Sequence, residues 1–335
     1  NSFAAPSLPP FSTARPTAVS ISFADSLFFG HLCPVAIMPT QYFTKKHAAL
    51  SASIKFICNT IHRIPYPLVP FFVSLNLSPS AVAASLAAHE APGLLLPFFP
   101  LLQRRYRWKS LFFWALTILV AGVGVSAAVP HAGTAPLALF VLALVLTGIG
   151  FFGITPLLQT AIARKAREGT VGLVTGLTES SWSLSTLVGV PVFSALLASS
   201  GTLTLPWLVF GALLLPVYIA PSLYPNMDDD DGPSDVEQAK QPPTHNEQDD
   251  AGTTVGASLR ALAASMRALP GTKFVILFTF ITGFANNILA STYALHFSAR
   301  YDLDIRGIAA VTTVGLGAAE FVASALSGTL ADRLG

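Results

Sequence analysis

Residues 109–130 read KSLFFWALTILVAGVGVSAAVP, and Lys109 at the very start is the only charge in the run. As a helix rising 1.5 Å per residue, such a stretch spans a hydrocarbon layer of ~30 Å. Seven other stretches have the same character: 49–75, 79–102, 135–160, 170–198, 203–222, 273–298 and 306–330. The whole chain has the same bias, with 52% hydrophobic and 11% charged residues among 335. A soluble domain carries about 25% charged residues. So few charges do not cover a water-facing surface, and they suit sides that face lipid. The expected fold is all-α, a polytopic bundle of spanning helices in a lipid bilayer.

The connections between these runs alternate in charge. The second and third are joined through Gln103–Lys109, which holds four cations, and the fourth and fifth through Arg164, Lys165 and Arg167. Lys240, Arg260, Arg267 and Lys273 follow the sixth. The stretches 76–78, 131–134 and 199–202 contain no Lys or Arg, and between Arg300 and Arg306 two aspartates offset the two arginines. The excess of Lys and Arg marks cytoplasmic loops. With Lys45 and Lys46 before the first run, the N-terminus is expected on the cytoplasmic side as well.

The net charge of +2 says little, because the charges are segregated. Cys33 and Cys58 make no disulfide framework or paired-cysteine metal pattern, and there is no phosphate-binding loop, HExxH or nucleophile elbow. An enzyme, a nucleic-acid partner, a cofactor and a metal site are therefore not expected. Residues 1–47 form an extension, rich in Ser, Pro and Ala up to Lys45, that reads as an organellar transit segment or as a disordered tail. Residues 224–254 are acidic and broken by prolines 225, 233, 242 and 243, a disordered cytoplasmic linker. Residues 255–270 repeat Val255, Leu259, Leu262, Met266 and Leu269 at helical spacing, an amphipathic helix for the membrane interface. Domain boundaries follow: a six-helix bundle over 48–223, and over 271–335 the first two helices of a second, truncated bundle. The chain opens on Asn1 rather than Met and stops at Gly335 straight after an apolar run, so it is expected to be part of a longer protein.

Internal symmetry supports that division. A shift of 228 residues lays Pro100-Leu-Leu-Gln-Arg-Arg-Tyr-Arg107 on Gly328-Thr-Leu-Ala-Asp-Arg-Leu-Gly335, Phe56 on Phe284 and Asn59 on Asn287. It pairs runs one and two with runs seven and eight, as in transporters built from repeats. The second copy, with Gly328, Asp332, Arg333 and Gly335, resembles the G-x-L-A-D-R-x-G turn of the major facilitator superfamily. In the first copy Pro100, Arg104 and Arg107 replace the Gly, Asp and second Gly, while the cations Arg105 and Lys109 remain. Ser185-Thr-Leu-Val-Gly-Val-Pro191 is similar to the Gly/Pro-bearing fifth helix of the family's exporters. Gly148–Gly153 lacks the helix-four Arg of its proton-driven exporters. The resemblance implies a twelve-helix carrier whose first eight helices lie here, with the motif turns acting as cytoplasmic gates.

Charges at membrane depth mark the candidate working residues, since each costs roughly 2.5–3.5 kcal/mol to insert. Glu179 shares one helix face with Thr175, Trp182 and Thr186, and burial there would favour its protonated form. Arg63, beside His62, is a candidate to meet an anionic solute or to pair with Glu179. Glu90 beside His89, and Glu320, are further acids at depth, each a titrating site or a helix-to-helix tie. Asn286 and Asn287 bind solute or join helices. Three functions fit these features. One is a secondary-active carrier that moves a small organic solute by alternating access, with the proton as candidate coupling ion and export favoured by the fifth run. The others are a membrane sensor or scaffold on the same fold, and an inactive truncated relic. Plasma and organellar membranes fit equally.

Overall fold

In the computed structural model the described residues are 43–74, 78–131, 136–166, 170–225, 227, 272–323 and 326. They all lie in one unit, Pro39–Gly335, and their regular structure is helical throughout. The extension before Phe43, the acidic linker, the interfacial helix expected over 255–270 and the Gly328–Gly335 turn lie outside the described residues.

The chain runs through α1 (Lys45–Arg63), α2 (Val69–Ser74), α3 (Pro79–Glu90), α4 (Phe99–Arg105), α5 (Trp108–Ala128) and α6 (Pro136–Lys165). It continues through α7 (Val171–Leu184), α8 (Val190–Ser200), α9 (Thr204–Leu214), α10 (Ala220–Leu223), α11 (Thr272–Tyr301) and α12 (Ile305–Thr312). Among the described residues, five stretches are long and apolar enough to cross a membrane: Trp108–His131, Leu137–Lys165, Val171–Ser200, Thr204–Leu223 and Arg306–Ala323. Leu94, Trp114, Leu208 and Phe278 are among the large apolar side chains left exposed, as lipid-facing positions are.

The first two runs differ from the continuous helices expected of them. Pro65, Pro67 and Pro70 break the first into α1 and α2 with a turn between. In the second, α3 tightens into a 3-10 helix over Ala91–Phe98, which contains Pro92 and Pro97, before α4 begins. A proline has no N–H to give and its ring crowds the carbonyl four residues back, so the α ladder stops there. α7 and α8 join through a π turn at Ser185–Gly189, closed by the Val190 N–H on the Ser185 carbonyl. Pro191 follows at once, and the wider turn relieves the crowding its ring causes. A second π turn, Thr313–Gly317, prolongs α12.

One end of the bundle gathers the basic connections. The Phe43 N–H donates to the Lys165 carbonyl at 2.7 Å, and the Trp108 indole N–H to the Leu157 carbonyl at 3.0 Å. Tyr224, just past α10, stacks on His47 and shares a buried hydrogen bond of 2.6 Å with the Ser51 hydroxyl. Tyr224→Phe leaves that hydroxyl without its partner and should cost about 1 kcal/mol in unfolding experiments in detergent. Ser51→Ala should cost about as much alone and little further when added to Tyr224→Phe; losses that simply add in the double variant would show that the bond contributes nothing. At the opposite end α8 stops at Gly201, whose φ of +66° suits a residue without Cβ.

Candidate functional site

The polar residues of α1 and the turn after it, Ser51, Lys55, Asn59, His62 and Tyr66, recur every three or four positions and are all buried. That spacing makes a single stripe on the helix. Its partners come mainly from α7, which packs along α1. The Lys55 ammonium donates to the Glu179 carboxylate, and Gln159 donates to the same oxygen at 3.1 Å. Four residues on, the Asn59 amide donates to the Ser181 hydroxyl at 3.1 Å. Glu179 thus meets Lys55 rather than Arg63. Its side chain is 40% exposed, not buried as expected from its depth in the run.

Arg63 is at the end of α1, where the guanidinium is met from three sides. It donates to the Thr186 hydroxyl in the π turn between α7 and α8. It lies over the Trp182 ring, 4.1 Å from the centroid. It also faces Glu320, in the helix that continues α12. One nitrogen donates to Oε1 at 3.0 Å, and the other sits 2.9 Å from Oε2 without forming a hydrogen bond. Arg63, Tyr66, Trp182, Thr186, Tyr293 and Glu320 line a cavity of about 50 Å³. A water needs ~10–15 Å³ on this measure, so the space holds a few waters. The two π turns meet beside it: the Thr313 hydroxyl donates to the Thr186 carbonyl at 3.3 Å, and Gly317 packs on Leu187. Irregular turns of this kind are frequent at functional sites.

His62, which also lines the cavity, reaches α3. Its Nε2 is 3.2 Å from the Glu90 carboxylate, which also accepts from the Tyr66 hydroxyl. His89, fully buried, places Nδ1 2.8 Å from the Leu144 carbonyl and Nε2 3.2 Å from the His62 carbonyl. A neutral imidazole donates from one nitrogen only, and the Thr147 hydroxyl, 3.4 Å from Nδ1, is a further partner for the other; a protonated ring donates to both carbonyls. The cluster of Glu90, His62 and His89 therefore has the donors and acceptors to hold an extra proton. Ligand atoms of these three residues also lie within 4.8 Å of one another. The His62 and His89 rings, however, are stacked at 4.4 Å with 28° between their planes. Their in-plane lone pairs run side by side, and a metal ion would require one ring to turn.

The other sequence candidates belong to further helices or lie outside the described residues. Asn286 and Asn287 fall in α11. Arg105 is exposed at the end of α4, 5.9 Å from the Tyr106 ring centroid, and Lys109 is half-buried in the first turn of α5. Gly328, Asp332, Arg333 and Gly335 are outside the described residues. Lys55, Tyr66 and Tyr293 are additions from the structure. Lys55 carried a signal, being a lysine four residues before Asn59 and eight before Arg63 inside an apolar run.

Comparison with curated proteins finds no match. Residues 48–335, with their helical fold, spanning helices and buried charges, match the family profile of the Major Facilitator Superfamily, and the chain belongs to that superfamily of multi-pass membrane transporters.

Proposed function

We propose that this protein is a secondary-active, proton-coupled carrier of a small organic solute, working by alternating access around the cavity at Arg63. The Arg63–Glu320 ion pair carries the reading, because it ties α1 to the helix that continues α12 across that cavity. Transporters rock one repeat against another around a site between them, and a charge pair spanning that line can open and close with the cycle. The next residue back, His62, leads to Glu90, His89 and Tyr66, where a proton can be stored beside the solute site. Counting formal charges, Lys55 and Arg63 face Glu90, Glu179 and Glu320, a deficit of one positive charge that one bound proton cancels. A proton taken up at Glu90 or its histidines changes the field at Arg63, and that is the coupling.

The test uses the protein expressed from its full coding sequence in liposomes loaded with a pH-reporting dye. Amino acids, hydroxy acids and sugars are added outside in turn, with protein-free liposomes as the baseline. At least one solute should drive proton movement above that baseline, and Glu90→Gln should cut it at least 10-fold while solute binding persists. Proton flux that is unchanged in Glu90→Gln, or absent for every solute, would rule out coupling at this cluster.

A further inference from the structure

We infer that the solute taken by the Arg63 cavity is a small organic monocarboxylate, which replaces the Glu320 carboxylate on the Arg63 guanidinium. The inference rests on reading that cavity as the solute site. A guanidinium presents paired N–H donors in a fixed plane, which match the two oxygens of a carboxylate. In this structure a side-chain carboxylate already occupies them, so the fork is shown holding the chemical group in question. Glu320 uses it incompletely: one oxygen accepts at 3.0 Å, while Oε2, at 2.9 Å, is buried without a hydrogen bond. A free carboxylate, not tethered to a helix, can take both donors.

Arg63 does not depend on Glu320 for its position. The Thr186 hydroxyl and the Trp182 face hold the guanidinium from the α7–α8 side, so it stays aimed at the cavity when Glu320 leaves. Such pre-organisation lowers the ordering cost of binding. The remaining walls include Tyr66, Val190, Tyr293 and Leu316, which favour an apolar body. The space of about 50 Å³, enlarged by what the Glu320 carboxyl vacates, limits that body to a few heavy atoms or one small ring. A dianion is disfavoured, because Glu90 lies close by on the Tyr66 hydroxyl. An amine is disfavoured by Arg63 itself. The displaced Glu320 is faced by Arg63, Tyr66, His62 and Tyr293 around the cavity. Exchange of one carboxylate for the other also loosens the tie between α1 and the helix bearing Glu320, which is the link a transport cycle has to break.

The test is a binding measurement, independent of transport. The purified full-length protein in lipid nanodiscs is titrated with propionate and benzoate, with propionamide and benzamide, and with propylamine, reading tryptophan fluorescence and melting temperature. The carboxylates should give saturable signals and the amides and the amine none. Glu320→Gln should bind the carboxylates at least 10-fold more tightly than the wild type, and Arg63→Gln should not bind them. Binding seen only in Glu320→Gln supports the inference equally, since it shows Glu320 as the competitor. Amides that bind as well as acids, or a Glu320→Gln variant that binds no tighter than the wild type, overturn it. Should neither variant fold, the acid-against-amide comparison on the wild type decides alone. Selective carboxylate binding without solute-driven proton flux would sink the transport reading and leave this site standing. Proton-coupled flux of an uncharged solute, with no carboxylate binding, would do the reverse.

Discussion

Arg63→Gln is expected to abolish solute flux and to destabilise the protein by about 3 kcal/mol, and Arg63→Gln/Glu320→Gln is expected to recover most of that stability without recovering flux. The asymmetry follows from the pair's position. The Arg63 and Glu320 side chains are 13% and 28% exposed, so each has lost much of its water and has the other in exchange. Removing one partner of a buried pair costs ~3–5 kcal/mol, because a charge remains where nothing solvates it, while removing both is often nearly neutral. The partial exposure here places the expected loss at the low end of that range. Thermal melts and chemical unfolding in detergent measure the two single variants and the double. A double-variant loss equal to the sum of the two single losses would mean that the two charges do not interact, and the pair would lose its place in the mechanism. Flux lost in the double while stability returns is the outcome that separates a working pair from a structural tie.

The membrane-spanning character of this chain was written in its composition. The runs at 109–130, 135–160, 170–198, 203–222 and 306–330 coincide with the five spanning-length helices, because a lipid-facing helix needs only length and apolarity. The breaks in the first two runs were less legible. Pro65, Pro67, Pro92 and Pro97 are visible in the sequence, but whether a proline kinks a helix, ends it or tightens it depends on what neighbouring helices offer the freed carbonyls. The pairing of charges was not legible at all. In the sequence Arg63 had Glu179 as its candidate partner, and the acid it meets is Glu320, 257 residues away. Which acid faces which cation is fixed by how helices are rotated against one another. That rotation depends on small residues and side-chain shape, which leave no trace in hydropathy. Lys55 was hidden for a related reason, since a single lysine scarcely lowers the apolarity of the run around it, yet it is the partner of Glu179.

The rotation of α6 rests on its glycines, and Gly150→Leu should therefore prevent folding, whereas Gly124→Leu in α5 should be tolerated. A Cβ at Gly150 would sit 2.6–2.7 Å from the Cβ, Cα and N of Leu119 in α5. Two of those three atoms are backbone, so no rotamer change makes room, and α5 and α6 must move apart. One turn away a Cβ at Gly153 would lie 2.7 Å from that of Ala115, and at Gly148 it would press on the backbone carbonyl of His89. Small residues let helices in a membrane approach to where packing holds them, and their replacement forfeits the packing along the whole contact. Forced overpacking of a core costs ~1–3 kcal/mol where side chains can adjust, and a clash with helix backbone offers no such adjustment. The effect should reach the functional centre, because Gly148 seats α6 against the same His89 that contacts the His62 carbonyl. At Gly124, by contrast, nothing lies within 4 Å of a built Cβ. Size-exclusion profiles and melting curves in detergent compare the two variants directly: a monodisperse, wild-type-like Gly150→Leu would show that the α5–α6 contact is looser than these distances require, and a misfolded Gly124→Leu would place a neighbour against that open face.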